Sequence, residues 1–92
     1  MPIRVKISIY SVLREKLGWR EKEIVVDNDN PTFIEVLQRE PELYKLVIDD
    51  KGNIREGYMI LVNGIHIEFK GGPKAPIRDG DEIAIFPPGG GG

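Results

Sequence analysis

The C-terminal run Gly89-Gly90-Gly91-Gly92 is the part of this chain whose residue types could take part in chemistry. Glycine loses more backbone freedom on folding than any other residue, so four in a row do not favour an ordered element. They favour instead a narrow thread without side chains that carries a terminal carboxylate into a cleft where any Cβ atom would clash. A carboxylate presented in this way is typical of a substrate, although a frayed terminus would have the same composition.

The other residues offer few groups for catalysis. The chain has no cysteine and a single histidine, His66. This excludes a disulfide framework, a thiolate metal site and a cysteine nucleophile, and it leaves too few histidines for a triad or a zinc cluster. The nucleotide-binding patterns GxxxxGKS/T and GxGxxG are also absent. We therefore expect a protein that is not itself an enzyme and that holds no metal or cofactor.

Composition bounds the class of protein and its partners. Ninety-two residues are enough for one small domain, and 40% of them are hydrophobic, 30% are charged, and the net charge is −2. Basic residues are spread along the chain rather than clustered, so nucleic-acid binding is not indicated. No apolar run approaches the length of about 18 residues that a membrane span needs, and no signal peptide is recognisable. We expect a cytoplasmic protein that binds neither nucleic acid nor membranes.

The apolar pattern predicts an α+β domain, with a mixed sheet of four to five strands and one main helix across one face. Thr32 and Glu35 form the sequence of a capping box at the start of that helix. Ser11 and Gly18 are expected to cap a shorter helix before it. The predicted strands cover residues 3–9, 23–26, 58–62, 65–69 and 83–86, and the predicted helices cover residues 11–18 and 32–40, with a further turn at 42–48.

The pair Asn63-Gly64 is typical of a two-residue hairpin turn. That turn would pair Val62 with Ile65, Ile60 with Ile67 and Tyr58 with Phe69. These six side chains are expected to lie on one face and to form part of the core.

The opposite face of this hairpin and of the last strand is the predicted docking surface. One side of a single sheet covered by a helix remains open to water. Four apolar residues would be exposed there beside the glycine thread and could form a partner-binding patch; they are Met59, Leu61, Ala84 and Phe86. The alternatives are that both strands are covered, or that the register differs by one residue, which would exchange the two faces.

Other polar residues are interpreted more simply. His66 has no evident partner and is expected to face solvent on a strand. The segment Asp79-Gly80-Asp81-Glu82 could supply ligands to a divalent ion, but such a sequence before a strand is typical of a turn.

Together these features resemble the ubiquitin-like sulfur carriers of the MoaD/ThiS family, and within it the pattern is most similar to small subunits of molybdopterin synthase. The resemblance rests on the order of elements, on the hairpin segment 60–64, and on the block from Asp79 to Pro88 followed by Gly91-Gly92. It implies a β-grasp domain over residues 1–86 and a flexible tail over residues 87–92. Gly89-Gly90 and the insert at residues 49–57 depart from the usual family pattern.

The resemblance also implies a chemistry and two partners. In the family, a ubiquitin-activating-like adenylyltransferase of the MoeB type transfers AMP from ATP to the terminal glycine, here Gly92 after Gly91. A sulfur donor then displaces AMP and leaves a thiocarboxylate, which passes its sulfur to a pterin precursor in the large synthase subunit of the MoaE type. Pro87 and Pro88 would stiffen the base of the tail. The six-residue tail, with Gly89 and Gly90 at its centre, would span on the order of 20 Å when extended.

Three hypotheses about the function stay open at this point. The favoured one is a sulfur carrier for molybdenum or tungsten cofactor synthesis, with carriers for thiamine or tRNA as variants. The second is a ubiquitin-like modifier, of the small archaeal type, that becomes attached to lysines through Gly92. The third is a β-grasp binding module with an incidental tail.

Overall fold

A computed structural model describes residues 1–89 of the chain. Five strands and three short α-helices make up the domain, and two 3₁₀ helices lie between the last two strands. In chain order the elements are β1 (Ile3–Ile9), α1 (Val12–Leu17), β2 (Glu21–Val26), α2 (Phe33–Leu37), α3 (Pro41–Val47), β3 (Met59–Val62), β4 (Ile65–His66), the 3₁₀ helices Ile67–Lys70 and Gly72–Lys74, and β5 (Glu82–Phe86).

The strands form one mixed sheet in the order β2-β1-β5-β3-β4. The central pair β1 and β5 is parallel, and the pairs β1–β2, β3–β5 and β3–β4 are antiparallel. This is the β-grasp arrangement, so the predicted fold class is confirmed. The arrangement places β5, the strand that precedes the tail, third of five in the sheet, so the tail follows a central strand rather than an edge strand.

The core lies between one face of the sheet and the helices. Alternation in β1 buries Ile3, Val5, Ile7 and Ile9 and leaves the residues between them outside the core. On the helical side, α2 buries its apolar residues, and among residues 1–89 no polar or charged side chain is fully buried. The opposite face of the sheet is therefore the open one.

The main helix is shorter than predicted and is followed at once by another. Thr32 caps α2 with the predicted capping box, since its hydroxyl accepts from the Glu35 N–H at 3.3 Å and the Glu35 carboxylate accepts from the Thr32 N–H at 3.2 Å. Pro41 then starts α3, as proline does readily in a first helical turn. The expected further turn at residues 42–48 is thus a helix in its own right.

The prediction for the ends of α1 is half right. Gly18 ends the helix in the left-handed conformation, with φ of 79°. Ser11 does not cap the start with its side chain and instead has a φ of 55°, which is uncommon for a residue other than glycine.

The predicted hairpin forms, but its second strand is too short for the predicted core pairs. Val62 pairs with Ile65 across the Asn63-Gly64 turn, whose two residues have positive φ. Beyond His66 the chain leaves β3 and enters a 3₁₀ helix. The pairing of Tyr58 with Phe69 is therefore wrong, as is that of Ile60 with Ile67.

The predicted core is also wrong for two side chains of this hairpin. Ile65 is 47% exposed and Phe69 is 86% exposed, so neither belongs to the core. Ile65 lies on the edge strand β4, and Phe69 lies in the 3₁₀ turn that follows it. The His66 imidazole begins that turn, because its Nδ1 accepts from the Glu68 N–H at 3.1 Å. Ile67 is still buried, although from that turn rather than from a strand.

The helices are short. Within residues 1–89, no helix combines the length and the apolar character that crossing a membrane would require.

Candidate functional site

The predicted docking residues come together on the open face, at the junction of β3 and β5. Met59 lies directly opposite Phe86, and Leu61 lies directly opposite Ala84. Met59 is 41% exposed and the other three side chains are half-buried. The four residues therefore lie on the face that the sequence predicted, while a role in binding stays a prediction.

Tyr10 belongs to the same surface, and the sequence did not predict it. Its ring stacks on that of Phe86, with centroids 4.3 Å apart and an angle of 8° between the planes. Arg14 covers the ring at 4.5 Å from its centroid and donates from Nε to the Ile9 carbonyl at 2.6 Å. Parallel pairing of β1 with β5 brings Tyr10 to Phe86, and no local pattern in the sequence indicates that pairing.

We call these five side chains the apolar patch; its members are Tyr10, Met59, Leu61, Ala84 and Phe86. Beside them lies an open depression of about 370 Å³, which Ser8, Asn63 and Glu82 complete. The patch thus has an apolar floor with a polar rim on one side, which is the usual composition of a docking surface.

The Asn63-Gly64 turn and the acidic segment before β5 hold each other in place. Asn63 donates from Nδ2 to the Asp81 carboxylate at 2.8 Å, and its Oδ1 accepts from the Glu82 N–H at 2.9 Å. Asp81 also accepts from the Arg78 N–H at 2.8 Å. These bonds set the register of β3 on β5, and through it they align the two strands that carry most of the apolar patch.

Asp79 has a similar structural role at the other side of β5. Its carboxylate accepts from the Arg4 N–H at 2.8 Å and so joins the turn to β1. Within residues 1–89, no group of three or more His, Cys, Asp or Glu side chains is arranged to hold a metal ion. The acidic segment is therefore a turn that is bonded to its neighbours.

The base of the tail is packed on the domain. Pro87 is buried, and Pro88 lies against Gly57, while Gly89 is exposed. Ordered packing thus continues for two residues beyond β5. The boundary at residue 86 stays a prediction, and the predicted reactive residues Gly90, Gly91 and Gly92 lie outside the described residues.

Among the residues that the structure describes, three ionisable groups have shifted pKa values; they are Lys6, Asp49 and Tyr58. A hydrogen bond to Glu21 raises the pKa of Lys6. The backbone N–H groups of Asn53 and Lys51 lower the pKa of Asp49, and burial raises the pKa of Tyr58.

A β-grasp sheet whose last strand runs through an apolar patch into a Pro-Pro-Gly segment is the architecture of a ubiquitin-like protein. The model of the ThiS family matches residues 7–92, and the chain belongs to this family, whose members are ubiquitin-like sulfur carriers of the ThiS/MoaD type. Small carriers of this type are generally not catalysts.

Solved structures show the same fold. Small archaeal modifier protein 1 from Methanosarcina acetivorans is 27% identical, with a TM-score of 0.74 over 100% of this chain and 99% of that one. CysO from Mycobacterium tuberculosis, described as an antigen, is 27% identical, with a TM-score of 0.74 over 90% and 97% of the two chains. A proposed molybdopterin converting factor, subunit 1, from Pyrococcus furiosus is 22% identical, with a TM-score of 0.67 over 95% and 99%. A comparison with curated proteins found no match.

Proposed function

We propose that this protein carries sulfur as a thiocarboxylate on Gly92 and donates it in molybdopterin synthesis, as the small subunit of a molybdopterin synthase in the cytoplasm. The observation that carries this proposal is the continuity of the apolar patch with the tail. Phe86 is at once the last residue of β5, a member of the patch and the residue before Pro87. A partner that docks on the patch is therefore beside the point where the tail begins.

The tail must enter two active sites in turn, and one docking surface can serve both. Activation requires a ubiquitin-activating-like adenylyltransferase of the MoeB type, and sulfur donation requires a large synthase subunit of the MoaE type. Both partners must receive the same glycine thread, and it must point in the same direction from the domain into each active site. We infer that they bind the apolar patch one after the other and exclude each other.

The atoms and bonds of the proposed activation balance, and no catalytic side chain of this protein is needed for it. The Gly92 carboxylate attacks the α-phosphorus of ATP, a C–O–P link forms, and pyrophosphate leaves. A donor at the oxidation level of hydrosulfide then attacks the carbonyl carbon; the C–S bond forms, the C–O bond to AMP breaks, and AMP and a proton leave. Because this chain has no cysteine, the sulfur has to come from a partner.

The choice of molybdopterin as the destination rests on the C-terminal block. The run from Asp79 through Phe86-Pro87-Pro88 to Gly91-Gly92 resembles that of molybdopterin synthase small subunits. The likeness to the Pyrococcus furiosus protein concerns the fold alone, because the two chains are 22% identical. Sulfur delivery to thiamine or to tRNA would use the same thiocarboxylate with a different acceptor.

A second candidate function is protein modification through Gly92. It is favoured by the 27% identity to small archaeal modifier protein 1 over the whole of this chain. The acyl adenylate would in that case react with a lysine amine, forming an amide bond and releasing AMP. The two functions share the activation step and differ only in the nucleophile that follows it.

Mass spectrometry of the protein purified from its own host distinguishes these functions. A mass increase equal to the replacement of one oxygen by sulfur supports the carrier, while adducts of higher mass with lysine-linked peptides support the modifier. As a matched control, a variant that lacks Gly91 and Gly92 keeps residues 1–90, but its thread is about 7 Å shorter and it should show neither product. Unchanged cofactor synthesis in a dependent strain that carries this deletion would refute the carrier proposal.

A further inference from the structure

The tail does not leave the domain freely, because Pro88 rests on Gly57. Gly57 has a φ of +90°, and a Cβ atom built on it would lie 2.9 Å from both Cβ and Cγ of Pro88. Ordinary contacts of such an atom lie at 3.4–4 Å, so any side chain at residue 57 would displace Pro88 by about half an ångström. Because Gly57 has no side chain, the proline ring can occupy this space. We call this position of Gly57 the seat of Pro88.

The loop that carries Gly57 is held by its own hydrogen bonds. The Asp49 carboxylate accepts from the N–H groups of Lys51 and Asn53 at 2.8 and 2.9 Å. The Arg55 N–H donates to the Val47 carbonyl at 2.8 Å, which ties the loop to the end of α3. The insert at residues 49–57 is thus a loop that is held by hydrogen bonds, and its last residue, Gly57, is the seat of Pro88.

We propose that Gly57 is a positioning residue for the reaction of the tail: its seat for Pro88 sets the direction in which the glycine thread enters a partner's active site. This inference rests on the proposed function of Gly92 as the activated residue. With Pro88 seated, only the four residues after it are left to span the distance, on the order of 13–14 Å when extended. A short thread tolerates little error at its base, since misplacing a reacting group by about 1 Å can cost about 10²-fold in rate.

The experiment compares Gly57→Ala with Gly52→Ala. Gly52 belongs to the same loop and has a φ of +82°, but nothing lies within 4 Å of the position that a Cβ atom would take there. Both variants carry the cost of alanine at positive φ, and only Gly57→Ala displaces Pro88. In ATP–pyrophosphate exchange with the host's adenylyltransferase, we expect Gly57→Ala to lower kcat about tenfold relative to Gly52→Ala. KM should stay within about twofold, because the apolar patch is intact.

Pro88→Gly provides the second arm and does not threaten the fold, since Pro88 is exposed. It should itself lower kcat, and in its background Gly57→Ala should cause no further loss beyond that of Gly52→Ala. A full additional loss would show that the new methyl group clashes with the partner rather than with Pro88, and would overturn the proposal. Wild-type kcat for Pro88→Gly would overturn it as well.

The outcomes also separate this inference from the proposed function. Absence of exchange with the wild-type chain would refute the function of Gly92. Exchange with the wild type but equal kcat for the two alanine variants would refute the positioning role alone. Nuclear Overhauser contacts between Gly57 and Pro88 protons test the seat without any partner, and their absence would contradict it.

Discussion

Replacing Met59 by alanine tests whether the apolar patch is a docking surface. Met59 is 41% exposed, lies on the open face at the start of β3, and pairs with Phe86 of β5. A partner that covers the patch would bury this remaining surface. We expect Met59→Ala to weaken the complex with the adenylyltransferase and to leave the free domain folded.

The magnitude follows from the exposed fraction. Burying a whole methionine side chain is worth about 1.5–3 kcal/mol. Docking can add only the 41% that is still exposed, which corresponds to about 0.6–1.2 kcal/mol. This is about a three- to eightfold increase in Kd, and isothermal titration calorimetry measures a change of that size.

Val25→Ala is the matched control. Val25 lies opposite Arg4, on the same open face, and is 42% exposed, but it belongs to the edge strand β2 at the other side of the sheet. Its truncation should leave the Kd unchanged within experimental error. Equal weakening by both variants would mean that the partner does not distinguish the patch, and an unchanged Kd for Met59→Ala would refute the docking assignment.

Two further predictions concern stability. Asp81→Ala removes the bonds to Asn63 and Arg78 and should lower the free energy of unfolding in urea by about 1–2 kcal/mol; no loss would show that these bonds do not hold the turn. Asp49→Asn tests the lowered pKa of Asp49: the wild type should be the more stable protein above about pH 5, and its advantage should disappear as the pH falls through and below the ordinary value of 3.8. An advantage that grows on acidification would contradict this sign.

Local patterns in the sequence were sufficient for much of the fold. Alternation in β1, the capping box at Thr32 and the turn at Asn63-Gly64 each depend on residues within a few positions of one another. The outward direction of Met59 and Phe86 was also predicted, because the side chains of a strand alternate between two faces and only two assignments are possible. Their pairing across β3 and β5 was not predicted.

The errors and omissions involve contacts between distant segments or a competing local bond. The strand after Gly64 was predicted too long. An alternating apolar pattern does not indicate that the His66 side chain will accept a backbone hydrogen bond and start a 3₁₀ turn. Tyr10 was missed because its stacking on Phe86 depends on the parallel pairing of β1 and β5. The contact of Gly57 with Pro88 joins residues that are far apart in the chain, so no pattern around either glycine or proline could indicate it.

The most direct test of the central claim is the intact mass of the protein isolated from its host under conditions that preserve thiocarboxylates. The account predicts a species heavier than the chain by the difference between sulfur and oxygen, and fragmentation should place that difference on Gly92. A population that carries only the unmodified carboxylate, or a sulfur located on any residue other than Gly92, would contradict the account.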